Sequence, residues 1–131
     1  MYIAAMTEKP GMEGIVSPLF GNAEYLTIMQ AETASVYKVY GREDVGGDCG
    51  FARKIVEHDC EAVLCGPVEE APFVILADEG CVTRYLASGL TARKALEEMN
   101  WYRLPMLPDF IGGSGCHSGE DGRCLLEDEN E

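Results

Sequence analysis

The sequence predicts a mixed α/β domain, a five-stranded sheet with helices on its faces. Three observations point to it. Two apolar, β-branched and aromatic runs, residues 25–30 and 35–40, are separated by only a few residues, as in a hairpin. A continuous apolar run, Ala62-Val63-Leu64-Cys65, reads as a strand buried on both faces. Around that run helical and extended patterns alternate, which gives strand–helix–strand–helix after the antiparallel part. A chain of 131 residues suits one domain.

Taken in order, Tyr2 to Thr7 is the first strand, and residues 8–23 form a long loop punctuated by Gly11, Gly14, Pro18 and Gly21. After the hairpin, Gly46-Gly47-Asp48-Cys49-Gly50 precedes a helix with Asp48 as its N-cap; Phe51, Ala52, Ile55 and Val56 form its apolar face. A second helix is expected over 68–78, with Pro72 tolerable only in its first turn and Gly80 closing it. The chain then returns as a strand over 81–85. Thr91 caps a third helix, with Ala92, Ala95, Leu96 and Met99 at helical spacing. From Trp101 the pattern fails at Pro105, Pro108 and a series of glycines. The expectation is an ordered domain over 1–103 and a flexible acidic tail over 104–131. In such a sheet the loops at the carboxyl ends of the strands form the binding crevice. The candidates are 8–23, 41–50 and 66–70.

Composition narrows the function. The residues are 47% hydrophobic and 25% charged, as in an ordinary globular protein. A net charge of −13 without a basic stripe argues against nucleic acid and against an anionic membrane surface. No apolar run approaches the roughly 20 residues that cross a bilayer, and the N-terminus lacks a basic leader, so a cytoplasmic location is expected. The acidic C-terminus, with Glu120, Asp121 and Glu127 to Glu129, reads either as a solubilising tail or as a contact for a basic partner.

Six cysteines are the feature most in need of explanation. Cys60, Cys65 and Cys81 lie in or beside apolar runs, where a thiol behaves as a small hydrophobe, though Cys65 ends its strand and could face the crevice. Cys49, Cys116 and Cys124 lie in glycine-rich, polar surroundings. Cys49 stands at a predicted helix N-terminus, an environment that favours thiolates and bound anions. A thiolate there suits iron, copper or molybdenum–sulfur species. Around Ser17, the loop offers hydroxyl and backbone N–H groups to sulfide or oxyanion edges. Cys116-His117, with Cys124 beyond, adds soft and borderline ligands, but without the paired spacing of a zinc finger. His58, in the last turn of the first helix, complements the helix dipole. No nucleophile elbow, P-loop or dinucleotide fingerprint appears, and the first strand lacks the carboxylates a magnesium nuclease needs.

Several of these segments together resemble the dinitrogenase iron–molybdenum cofactor-binding family of the NifB/NifX type. They are the opening strand with Thr7, then Val16-Ser17-Pro18-Leu19-Phe20-Gly21-Asn22-Ala23, Gly47-Asp48-Cys49-Gly50-Phe51-Ala52, Leu64-Cys65-Gly66, Asp78-Glu79-Gly80-Cys81-Val82 and Leu90-Thr91-Ala92-Arg93-Lys94-Ala95-Leu96. Leu19 stands where the pattern often has a histidine, and Pro67-Val68-Glu69 where it usually has an Ile-Gly step. The resemblance covers about residues 1–100. It implies a ribonuclease-H-like fold and a non-catalytic protein that binds an iron–sulfur or iron–molybdenum type cluster during assembly, storage or transfer. Its partners would be the cluster and the proteins that donate and accept it. The candidate site comprises Ser17, Phe20, Gly21, Cys49 and Gly50, with Cys49, Cys116 and His117 as the candidate metal ligands that the residue chemistry offers. Two other readings stay open: an interaction or scaffolding module that kept the fold and lost the ligand, and a redox pair formed by Cys116 and Cys124.

Overall fold

A computed structural model describes residues 1–112. Five strands form one sheet: β1 (Tyr2–Thr7), β2 (Tyr25–Gln30), β3 (Ser35–Gly41), β4 (Ala62–Cys65) and β5 (Thr83–Leu86). Their spatial order is β3-β2-β1-β4-β5. β1 pairs antiparallel with β2 and parallel with β4; β2–β3 is antiparallel and β4–β5 parallel. This is the mixed five-stranded architecture that the sequence pattern and the family resemblance both imply.

The central strand decides the layering. Successive side chains of a strand point to opposite faces, so Ala4 and Met6 enter one core while Ile3 and Ala5 enter the other. The first face is covered by α2 (Asp48–Glu57), through Phe51, Ala52 and Ile55, and by α3 (Glu70–Val74) with the π-helical turn Ile75–Glu79 that continues it. The second is covered by α4 (Ala92–Asn100), through Ala92, Ala95, Leu96 and Met99, and by Met12 and Val16 of the first long loop. Thr91 caps α4 as its sequence predicts, its Oγ1 accepting a hydrogen bond from the Lys94 N–H.

Four local details depart from expectation. The chain makes an extra short helix, α1 (Arg42–Val45), between β3 and α2. Gly46 (φ +81°) and Gly47 (φ +99°) then turn it sharply, so Gly47, not Asp48, is the N-cap of α2. The second helix starts at Glu70 because Glu69 is extended, which leaves Pro72 in the first turn, where it needs no N–H partner. The last strand begins at Thr83, not Cys81. There the left-handed residue is Cys81 (φ +51°), and Gly80 keeps a right-handed backbone against Val56, whose Cγ2 would lie 2.7 Å from any Cβ at position 80.

Residues 104–112 are bonded back to the domain, first along the edge strand β5. Leu86 N–H donates to Pro105 O, Leu107 N–H to Arg84 O and Ile111 N–H to Val68 O, and Leu107 is buried. Cys116, His117 and Cys124 lie outside the described residues. Among the described residues no helix is long and apolar enough to cross a membrane.

Phe51 is wholly buried where α2 meets the sheet, whereas Val36 is 42% exposed on the edge strand. Phe51→Ala should therefore cost about 3–5 kcal/mol, and Val36→Ala less than about 0.5 kcal/mol, as read from urea unfolding midpoints.

Candidate functional site

The strand directions gather the candidate loops at one end of the sheet. Thr7 pairs with Tyr25 and Tyr25 with Gly41, so the end of β1, the start of β2 and the end of β3 lie side by side. β4 and β5 run parallel to β1 and finish at the same end. Residues 8–23, 41–50 and 66–70 therefore surround one rim, joined there by the 87–91 turn.

The first loop is fixed across that rim by backbone bonds. Ser17 N–H donates to Met6 O, Phe20 N–H to Pro67 O and Val16 N–H to Leu90 O. The Ser88 hydroxyl donates to the Ser17 carbonyl at 3.2 Å. Gly66 lies directly under the loop, where any Cβ would overlap the Pro18 carbonyl, so only glycine fits.

Arg42, the first residue of α1, ties the end of this loop to α2. Its Nε donates to Ala23 O at 2.8 Å, its Nη2 to Phe20 O at 3.1 Å and its Nη1 to the Asp48 carboxylate. The guanidinium also lies over the Phe51 ring, 5.1 Å from the centroid. Charge-assisted bonds of this kind are among the stronger ones, and here they set the loop against the helix start. The sequence argument did not single out Arg42; its position in an unforeseen helix concealed it.

The proposed site residues fall into two groups. Gly21 is exposed beside Asp48, with 3.3 Å between its would-be Cβ and Asp48 Oδ2. Cys49 and Gly50 follow in the first turn of α2, both half-buried, and Gly50 packs so closely on the Val45 carbonyl that a side chain would overlap it. These three are neighbours. Ser17 and Phe20 are instead fully buried beneath the loop, Phe20 as part of the core. The Ser17 Oγ has no hydrogen-bond partner among the described residues.

Cys49 opens onto a groove of about 620 Å³ between α2 and α3. Arg53, one turn along α2, and Glu69, Glu70, Ala71, Val74 and Ile75 complete its lining. The other described cysteines sit elsewhere. Cys60 and Cys65 are buried in the core and Cys81 is exposed on the turn before β5. Burial pushes the Cys60 thiol up to about 12, with a smaller contribution from the Asp59 charge. Burial also raises the Cys65 thiol to about 12, against a weaker opposing effect of Arg84. Neither is suited to act as a thiolate ligand. His58 shares a 2.7 Å hydrogen bond with the Tyr40 hydroxyl and does not line the groove. Among the described residues no three of His, Cys, Asp and Glu converge as a metal-binding group.

A mixed sheet with an open rim groove and one thiol at a helix start defines a small α/β domain with a candidate binding groove. The chain belongs to the dinitrogenase iron–molybdenum cofactor family, which matches residues 1–100. No curated protein matches it in sequence. Solved structures share the fold. The apo form of the orange protein from Desulfovibrio gigas superposes with a TM-score of 0.72 at 23% identity, covering 82% of this chain and 93% of that one. A candidate NifB protein from Thermotoga gives 0.69 at 24% identity, covering 83% and 95%. A candidate dinitrogenase from Methanocaldococcus jannaschii gives 0.61 at 16% identity, covering 83% and 96%.

Two outcomes follow from the cysteine environments. In native protein treated briefly with iodoacetamide, peptide mapping should find Cys49 and Cys81 modified and Cys60 and Cys65 protected. Both raised thiols are neutral in the fold and free to ionise in the unfolded chain. Their contribution to stability is therefore complete below the ordinary thiol value of 9.0 and lost as pH rises towards 12. Urea midpoints should fall between pH 8.5 and 10.5, and the fall should be shallower in Cys65→Ala.

Proposed function

We propose that this protein binds a metal–sulfur cluster of iron–molybdenum or iron–sulfur type and holds or delivers it in the cytoplasm, without catalysing a reaction of its own. The observation that carries this reading is the half-buried Cys49 thiol in the first turn of α2, on the lip of an open groove, within the segment that matches the family. The helix start places backbone N–H groups and the positive end of the dipole beside that sulfur, which favours an anionic load.

The donor set fits a cargo that arrives assembled. One thiolate can anchor a cluster whose remaining coordination comes from its own sulfides, whereas gathering bare ions needs several converging ligands. The first loop, with Gly21 beside Asp48, would form the wall next to the anchor, and the buried Ser17 and Phe20 hold that loop in place. Cys116 and His117 are the proposed further donors. The partners are the proteins that supply and receive the cluster.

Glu69 and Glu70 are exposed on the groove and oppose an anionic load, which favours a second reading, an interaction module on the same fold. Anaerobically purified protein, incubated with iron–sulfur and molybdenum–sulfur species, separates the two. Under the carrier reading, elemental analysis finds retained metal. Charge-transfer absorption then disappears in Cys49→Ser and weakens as pH falls, because protons compete for the thiolate. Absence of metal and bands under every loading condition supports the interaction module, and retention unchanged in Cys49→Ser rejects Cys49 as anchor.

A further inference from the structure

The edge strand β3 carries a patch that the groove does not account for. Ile28 pairs with Lys38 and Met29 with Val36, so Tyr37 is the extra residue of a bulge. Bulges at sheet edges re-aim side chains. Here Tyr37 packs on Tyr2, with 4.6 Å between ring centroids, and meets the His58 ring edge-on at 5.8 Å. The Tyr40 hydroxyl shares its hydrogen bond with the same histidine. Two ammonium groups flank the Tyr40 ring, Lys38 Nζ at 5.5 Å from its centroid and Lys54 Nζ at 5.3 Å. Lys54 also pairs with Glu57, whereas Lys38 is exposed and makes no hydrogen bond or ion pair among the described residues. Tyr37 is 50% exposed, and no described strand pairs with the outer edge of β3. A bulge and a lysine on an edge oppose pairing with a second copy of the strand. They leave the aromatic and cationic side chains open to a ligand of opposite charge.

We infer that this patch is the docking surface for the acidic C-terminal segment of the same chain, residues 124–131. The two are complementary in composition. Cys124-Leu125-Leu126 supplies apolar surface for the exposed Tyr37 ring, and Glu127-Asp128-Glu129 supplies carboxylates for Lys38 and Lys54. The segment also reaches. Ile111 N–H is bonded to Val68 O, just after β4, and β4 is three strands from β3. That separation is about 15 Å across the sheet. The twelve residues between Ile111 and Cys124 span up to about 40 Å when extended, enough to pass over α2. Arg53, on the other flank of α2, shares its groove with Glu69 and Glu70 and offers an acidic segment no comparable surface. Docking covers the open edge of β3 and brings carboxylates to its unpaired lysine. It does not depend on what Cys49 holds.

Carbodiimide coupling of the full chain joins a lysine amine to a carboxylate that it touches, and peptide mapping locates the link. Lys38 should couple to Glu127, Asp128 or Glu129 at least about three-fold more than the exposed Lys9 does, the factor that a few weak surface pairs supply together. That preference should disappear in about 1 M salt and fall about two-fold in Lys54→Gln. In amide NMR spectra of the full chain, the Tyr37, Lys38 and Tyr40 signals should move in the triple variant Glu127→Gln, Asp128→Asn, Glu129→Gln, and those of α4 should stay. Equal coupling at Lys38 and Lys9, or unmoved β3 signals in the triple variant, overturns the inference. Coupling in a mixture of isotope-labelled and unlabelled protein identifies the occupant. Links confined to one isotope class support docking within the chain. Mixed links overturn it and give the surface to the C-terminal segment of a second copy.

Discussion

The two-faced burial of β1 is the constraint on which the rest of the molecule depends. Its side chains from Ile3 to Thr7 are buried and serve two separate cores, with alanines at 4 and 5 where the strand is covered from both sides. Its antiparallel partner β2 and parallel partner β4 meet there, so β1 joins the hairpin half of the sheet to the crossover half. Because β1 runs parallel to β4, and β4 to β5, the turns that follow all three emerge on one rim. The position of the groove is a consequence of that direction.

At the rim, short-range chemistry converts a flexible loop into a wall. Gly66 lets the first loop lie directly on the end of β4, and the backbone bonds from Ser17 and Phe20 hold it there. Arg42 adds the connection to α2, so the loop, the small helix α1 and the start of α2 behave as one unit. Cys49 inherits its placement from this unit. Arg53 inherits its placement from the helix repeat alone.

Much of this was legible in residue order. β1, β2 and β4 follow from runs whose composition leaves no competing pattern, and α4 from the Thr91 cap with its apolar stripe. The failures have physical reasons. Helix α1 is only four residues long and has no buried residue, so no periodicity announces it. The start of β5 moved because Cys81, a residue that rarely adopts positive φ, takes the left-handed turn that Gly80 was expected to provide. Gly80 is needed for a different purpose, contact with Val56.

The sequence by itself determined the class of fold, the order of its strands and longer helices, the family and the cysteine at the start of α2, because these depend on local propensity, on alternating burial and on short motifs. Tertiary structure decided which residues share a space. It separated the described thiols into buried Cys60 and Cys65 and accessible Cys49 and Cys81. It also buried Ser17 and Phe20 under the loop that they help to form, and opened a groove between α2 and α3 onto Cys49 and Arg53. Burial and charge pairing at a given residue are set by segments far away in the chain, and no spacing within one segment records them.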